Sequence, residues 1–356
     1  MNSIKIKTKH GVREIGQDKP VFIIAEMSGN HKQSFDRAKK LVDVAAEAGV
    51  DAIKLQTYTA DTMTIDCDKE DFQVKVNKAW KGRSLYNLYE WAYTPWEWQP
   101  KLKKYAESKG LIFFSTPFDE TAVDFLEKME VPLYKVASFE NNHIPLLKKI
   151  AQTGKPVIMS RGMTILEEIK EALSTLKKAG NSEIALLHCV SSYPAKYEQM
   201  NLKTIPDIQK RFNVVAGLSD HTLGTETAIA AVALGAKVIE KHFTISREDG
   251  GPDAAFSLEK NELKNLVKTI RNVEKSLGKP SYKIEKKESE NRVFKRSIYA
   301  TRDIKKGEKF TKENIRVIRP GYGLHPRYYE EILNCKSAKF FKKGQSLNKI
   351  FLKNIA

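Results

Sequence analysis

PVFIIAEMSGNHKQSFDRAKKLVDVAAEAGVDAIKLQ, residues 20–56, holds two near-continuous apolar runs, Val21–Met27 and Ala52–Gln56. Such runs lack the polar/apolar alternation of a half-exposed strand and suit parallel strands buried on both faces. Between them, Phe35–Ala48 has helical spacing, and Gly49 stands where a helix C-cap is wanted. The stretch therefore reads as strand, helix, strand. The pattern recurs in runs at Leu111–Thr116, Tyr134–Ser138, Val157–Ser160, Ile184–Val190, Val214–Leu218 and Val238–Phe243, eight in all. Helical patterns at Thr121–Met129, Ile165–Lys178 and Thr225–Leu234 alternate with them, and Gly110, Gly180 and Gly235 each precede a strand. Eight strand–helix units in this length predict an α/β fold, a (β/α)8 barrel. A doubly wound open sheet is the alternative, but it seldom uses eight such regular units.

One connection is too long. Thr57–Lys109 contains Trp80, Tyr86, Tyr89, Trp91, Tyr93, Trp96 and Trp98. Aromatics this dense need burial, either as a helical excursion on the barrel rim or as a wall of the site, since the segment leaves a strand's C-terminal end. The first twenty residues read as a small hairpin capping the barrel bottom. The expected division is a barrel over 1–277, a polar linker over 278–290 and a compact, Lys-rich mixed domain over 291–356.

The 356 residues include 61 Lys/Arg and 44 Asp/Glu, a formal charge of +17, and 41% are hydrophobic. That composition excludes collagen-like and wholly disordered chains. No apolar run reaches the ~18 residues that suggest a membrane span, and MNSIKIKTKHG lacks the apolar core of a signal peptide. Cys67, Cys189 and Cys335 are too scattered for a disulfide framework or a cysteine zinc site. The expectation is a reduced, cytoplasmic protein with no membrane partner. From Lys286 onward, 19 Lys/Arg face 7 Asp/Glu, which places +12 of the +17 in the tail. Such charge can neutralise nucleic-acid phosphates. No nucleic-acid motif accompanies it, so the expectation is a solvated basic domain, or one serving a small anion, with no nucleic acid bound.

In a barrel, chemistry sits where strands end at their C-terminal side. The eight ends offer Glu26 with Ser28, Asn30 and His31; Lys54 and Gln56; Ser115 and Thr116; Lys135, Ser138 and Glu140; Ser160 and Arg161; His188, Ser191, Ser192 and Tyr193; Ser219, Asp220 and His221; and Glu240, Lys241 and His242, followed by Arg247 and Asp253. A buried ammonium is costly unless paired. Lys54 and Lys135 therefore predict an anion or phosphate site completed by Thr116, Ser138, Ser160 and Ser219. Structural ion pairs with Glu26, Glu140 or Asp220, or Schiff-base chemistry at one lysine, are the alternatives. His221 and His242 end adjacent strands, about 4.8 Å apart, so both imidazoles can reach one cation; core histidines or a single general base remain open.

IIAEMSGNH, DAIKLQTYTADTMT, FFSTPFDETAVDFLE, YKVASFE, VIMSRGM, LLHCVSSYP, GLSDHT and EKHFTISREDGGPDAAFS, then RSIYA and IRPGYGLHP, are very specific together. With them the chain resembles, essentially end to end, the sialic acid synthase family. That family condenses phosphoenolpyruvate with an amino-sugar aldehyde, on a barrel followed by a small antifreeze-like (SAF, β-clip) domain. The resemblance implies that Lys54, Thr116, Lys135, Ser138, Ser160 and Ser219 hold phosphoenolpyruvate. It implies that His221 and His242 bind a divalent metal, Mn2+ or Mg2+, and act in catalysis with Glu26. Glu140, Tyr193 and Asp253 would face the sugar. Arg319 would reach a partner's barrel in a homodimer with swapped C-terminal domains. KLQTYTADTMT, YTPWEW, CVSSYPA and SREDGGPDAAFS look like the branch making pseudaminic acid for flagellin or surface glycans, rather than those making sialic or legionaminic acid. Ser191 and Arg161 stand where sialic acid synthases commonly have Asn and Thr, so acceptor contacts do not carry over there. Phe256 adds apolar surface suited to a 6-deoxy sugar.

Overall fold

The computed structural model describes residues 3–75 and 80–348. The chain divides into two compact units, Met1–Gly278 and Lys279–Ala356. The first begins with an antiparallel hairpin, β1 (Ile4–Thr8) and β2 (Gly11–Ile15). Eight parallel strands follow: β3 (Phe22–Glu26), β4 (Ala52–Thr57), β5 (Ile112–Pro117), β6 (Tyr134–Val136), β7 (Val157–Ser160), β8 (Ile184–Cys189), β9 (Val215–Asp220) and β10 (Val238–His242). Strand β10 pairs with β3 and closes the barrel, as the eight apolar runs predict. The open-sheet alternative is thereby removed.

Ten helices of the barrel unit are α1 (Phe35–Ala48), α2 (Ala60–Met63), α3 (Leu85–Ala92), α4 (Gln99–Ser108), α5 (Glu120–Lys128), α6 (Ile144–Gln152), α7 (Leu166–Lys178), α8 (Thr204–Phe212), α9 (Glu226–Ala233) and α10 (Lys260–Leu277). Their ends follow local chemistry. Ser34 Oγ accepts the Arg37 N–H at the start of α1, and Gly49 ends it at φ 79°, a left-handed conformation that favours glycine. Asp119 caps α5 by accepting the Thr121 N–H at 2.9 Å.

Side chains along each barrel strand point alternately in and out. Ile23, Ile53, Phe113, Val157, Leu186 and Ile239 face outward into the main core under the helices. Phe22, Ile24, Phe114, Leu133, Ile158 and Val238 fill the barrel's lower interior, joined by Ile4, Ile6 and Ile15 of the hairpin. The hairpin thus plugs the bottom, as expected. Asp51 ties it down: its carboxylate accepts from Arg13 Nη2 (3.1 Å), Arg271 Nη2 (2.9 Å) and the Ile23 N–H (2.9 Å). Gly217 in β9 leaves room for its neighbours, since a Cβ there would lie 2.5 Å from Val238 O.

Helices α2 and α3 belong to the long excursion between β4 and α4, and its aromatics are packed against the barrel. Trp96 Nε1 donates to Tyr58 O (3.0 Å), Trp80 Nε1 to Pro252 O (3.0 Å), and Trp98 meets His31 edge-on at 5.7 Å. In the second unit, strands β11 (Ser297–Ala300) and β12 (Ile315–Ile318) pair antiparallel around a small core of Ile298, Ile304, Phe310, Ile315 and Phe341. Within the expected linker, Lys286–Glu290 forms a short exposed helix. No helix among the described residues is long and apolar enough to cross a membrane.

Candidate active site

The inward alternation that gives an apolar barrel bottom continues upward into polar residues. Above Phe22 and Ile24 comes Glu26; above Ala52 come Lys54 and Gln56; above Val238 come Glu240 and His242. Strand register sets His242 beside Glu26 and Glu26 beside Lys54, while Glu240 lies beside Ser219. These groups line a cavity of about 370 Å³ at the barrel mouth, together with Lys135, Ser138, Glu140, Ser160, Tyr193, His221 and Asp253.

Its floor is a web of buried charges. Lys54 Nζ sits 2.6 Å from Glu26 Oε2, 3.1 Å from Thr116 Oγ1 and 3.9 Å from Glu240. Lys135 Nζ donates to Ser160 Oγ at 2.7 Å and lies 3.8 Å from Glu240, which also accepts from the Ser219 hydroxyl at 2.9 Å. Burial works against the Lys54 charge, but Glu240 and Glu26 outweigh it and hold the ammonium above its ordinary pKa. Lys135 is pulled below its ordinary value by burial, which Glu240 only partly offsets. Burial also raises Glu26, against the pull of Lys54. A small dianion entering here meets two ammonium groups and several hydroxyls that already exchange hydrogen bonds with one another. Ser138 accepts the Gly162 N–H at 3.0 Å, so it too is oriented by the protein.

Above the floor stand the two imidazoles, their ring centres 5.3 Å apart. His221 Nδ1 faces Val190 O at 3.1 Å. A carbonyl only accepts, so Nδ1 carries the proton; Cys189, 3.7 Å away, outweighs burial and raises this imidazole above its ordinary pKa, and Nε2 offers a lone pair when the ring is neutral. His242 Nδ1 is buried without a hydrogen-bond partner among the described residues, and Asp253 Oδ2 lies 3.9 Å away. Burial, reinforced by His221, holds His242 well below the usual imidazole range, in its neutral form. Two lone-pair donors, one of them orphaned, fit a divalent ion whose remaining positions go to substrate oxygens and water. Among the described residues no cluster of three His, Cys, Asp or Glu could hold an ion by protein ligands alone.

The sequence-predicted residues divide clearly. Glu26, Lys54, Lys135, Ser138, Glu140, Ser160, Tyr193, Ser219, His221, His242 and Asp253 line the cavity, and Thr116 stands behind Lys54 as its hydrogen-bond partner. Arg319 is exposed in the second unit. Several other strand-end residues are structural. Lys241 points outward and pairs with Asp220 at 2.8 Å. Asn30 Nδ2 donates to Phe243 O, His31 meets Thr94, and Arg161 Nε donates to His188 Nδ1 at 3.2 Å. Arg247 pairs with Glu262. Phe256 corrects an expectation: it packs behind His242 (5.0 Å) and Tyr193 (5.3 Å) rather than among the cavity-lining side chains. The apolar surface comes instead from Tyr58, Met63, Val74, Leu85, Leu88 and Phe118, mostly in the excursion. Sequence reasoning assigned no role to Glu240 or Gln56; the inward alternation running through Glu26 and Lys54 was the signal that finds both.

A closed barrel with paired ammonium groups, hydroxyls and two imidazoles at one mouth defines an enzyme for a small anionic substrate. The NeuB family model matches residues 41–282 and the SAF domain model residues 295–349. The chain belongs to the NeuB family of phosphoenolpyruvate-dependent nonulosonic acid synthases, whose members are generally metal-dependent. It is 44% identical over 330 residues to the pseudaminic acid synthase of Campylobacter jejuni subsp. jejuni serotype O:2, covering 93% of this chain and 96% of that protein. It is 38% identical to the N,N'-diacetyllegionaminic acid synthase of the same strain, covering 92% and 98%. Among solved structures, the N-acetylneuraminic acid synthetase of Leptospira borgpetersenii serovar Hardjo-bovis is 34% identical, with a TM-score of 0.71 over 81% of this chain and 95% of that one.

Proposed function

We propose that this chain condenses phosphoenolpyruvate with 2,4-diacetamido-2,4,6-trideoxy-altrose to give pseudaminic acid and phosphate. The observation carrying the chemistry is the floor on which Lys54 and Lys135 meet Glu240 beneath His221 and His242. Support for this sugar over the legionaminic acid precursor comes from the greater identity to the pseudaminic acid synthase, 44% against 38%.

In this reading Lys54 and Lys135, with Thr116, Ser138, Ser160 and Ser219, bind the phosphate and carboxylate of phosphoenolpyruvate. His221 and His242 would hold Mn2+ or Mg2+, which when bound supplies Lewis-acid polarisation of the acceptor aldehyde. Glu140, Tyr193 and Asp253 orient the open-chain sugar. The enol carbon C3 bonds to the aldehyde carbon, whose oxygen takes a proton and becomes a hydroxyl. Water adds at C2, giving its proton to Glu26, whose raised pKa suits a general base. The C2–O bond to phosphate then breaks. One water is consumed and one phosphate released, with no redox change. Holding both reactants in line contributes up to roughly 7–11 kcal/mol.

The barrel over 1–277 would carry this chemistry. The domain over 291–356, joined through 278–290, would place Arg319 at the sugar's N-acyl group in the barrel of a second subunit, in a swapped homodimer. The test is product identification by mass spectrometry. The protein is incubated with phosphoenolpyruvate, Mn2+ and, separately, the altrose compound, its mannose-configured isomer and N-acetylmannosamine. Pseudaminic acid as the dominant product supports the reading; preferential turnover of the mannose isomer or of N-acetylmannosamine replaces it with legionaminic or sialic acid synthesis. Borohydride trapping of a lysine adduct would favour a Schiff-base aldolase instead.

A further inference from the structure

Ser28, just past β3, holds an unfavourable backbone. Its φ is 47°, in the left-handed region that residues other than glycine seldom adopt. The side chain is buried and lines the cavity. Strain of this kind persists where the surroundings demand it, and it gathers at functional sites. The hydrogen bonds show the demand. Gln56 Nε2 donates to Glu26 Oε1 at 3.0 Å and to Ser28 Oγ at 3.2 Å, which uses both of its amide protons. Ser28 Oγ, already accepting, gives its own proton to Asp253 Oδ2. Oδ2 is the only carboxylate oxygen of Asp253 with a side-chain hydrogen bond among the described residues, which leaves Oδ1 for a ligand. The backbone around Asp253 is fastened separately. Arg37 Nη1 pairs with Asp249 at 2.6 Å, Trp80 Nε1 donates to Pro252 O at 3.0 Å, and Ser257 Oγ donates to Asp253 O at 2.7 Å. Gly29 lets this loop come close, since a Cβ there would collide with Pro252.

We infer that Ser28 is a positioning residue of the acceptor site: its hydroxyl pins Asp253 Oδ2 so that Oδ1 is presented to the sugar. The inference rests on the synthase reading, in which Asp253 orients the acceptor. Without the hydroxyl the loop keeps its other anchors, but the carboxylate is free to turn about χ2, a broad torsion. His242 Nδ1, 3.9 Å from Oδ2, then competes for it. Glycine at position 28 separates this role from a merely structural one. It accepts the left-handed φ without strain, so Ser28→Gly removes the hydroxyl and relieves the backbone together. Ser28→Ala removes the hydroxyl and keeps the strain.

The test measures the melting temperature and both KM values of the two variants, with Mn2+ and whichever amino sugar the full-length protein condenses best. Ser28→Gly should melt close to the unaltered protein, and Ser28→Ala lower. Both should raise the acceptor KM by about 10-fold and leave KM for phosphoenolpyruvate within about twofold, the mark of a misplaced sugar contact. In an Asp253→Ala background, Ser28→Gly should raise the acceptor KM no further, because the hydroxyl acts through that carboxylate. A normal acceptor KM in Ser28→Gly overturns the inference, since a structural role alone would let kinetics follow stability. An equal rise in both KM values, or additive effects of the two substitutions, overturns it as well. Condensation of no amino sugar with phosphoenolpyruvate removes the synthase reading and this inference together; condensation with an unchanged acceptor KM removes this inference alone.

Discussion

Glu26 Oε2 and Lys54 Nζ are 2.6 Å apart, with side chains only 1% and 4% exposed. The pair sits in register on adjacent strands, so the barrel itself sets the distance. Removing one partner of such a pair leaves the other charged and dry, which costs about 3–5 kcal/mol. Lys54→Met should lower stability by that amount in urea unfolding, and Lys54→Met with Glu26→Gln should recover part of it. The single variant should also lose about 100-fold in kcat/KM for phosphoenolpyruvate, the equivalent of a charge-assisted bond of roughly 3 kcal/mol. Unchanged stability and unchanged phosphoenolpyruvate kinetics would contradict the ion-pair floor.

His242→Ala should abolish turnover and leave the circular dichroism spectrum unchanged. The unaltered protein should lose activity on treatment with a chelator and regain it with Mn2+. Full activity in chelator would remove the ion from the mechanism, whatever the geometry of His221 and His242.

Glu140 gives a pH signature. Burial pushes its carboxyl up to about 7, against the pull of Lys135. Between the ordinary carboxylate range and about pH 7 the unfolded chain therefore ionises Glu140 while the folded one keeps it protonated. The stability present below that window is lost as pH rises through it, by about 3 kcal/mol in total. Glu140→Gln should match the unaltered protein at pH 4 and exceed it in stability at pH 8. Parallel stability curves across that range would show that Glu140 ionises normally.

Arg319→Ala tests the swapped arrangement. KM for the sugar should rise about 10- to 100-fold while KM for phosphoenolpyruvate holds. An unchanged sugar KM removes Arg319 from the acceptor site.

The barrel was legible because its strands are buried on both faces and its helices end at glycines: α1 runs from Phe35 to Ala48 as its spacing predicts. The strand ends also exposed most of the site, since Lys54 and Lys135 are charges where only apolar residues would otherwise pack. Residues one position off the inward face stand at the same strand ends and carry charge as well. Lys241 and Asp220 look like site residues in the string but point outward, where they satisfy each other.

Local pattern alone determined that eight buried strands alternate with helices and that cations and hydroxyls stand at the strands' C-terminal ends, because periodicity and burial are properties of neighbouring residues, whereas closure needed the long-range pairing of β10 with β3. Only the tertiary structure decided that Glu240 bridges the two lysines, that Phe256 supports the imidazoles from behind, and that Met63, Val74, Leu85 and Leu88 wall the cavity. Those relations join residues far apart in the chain, and they exist only once strand register and the packing of the long excursion have set which side chains share a space.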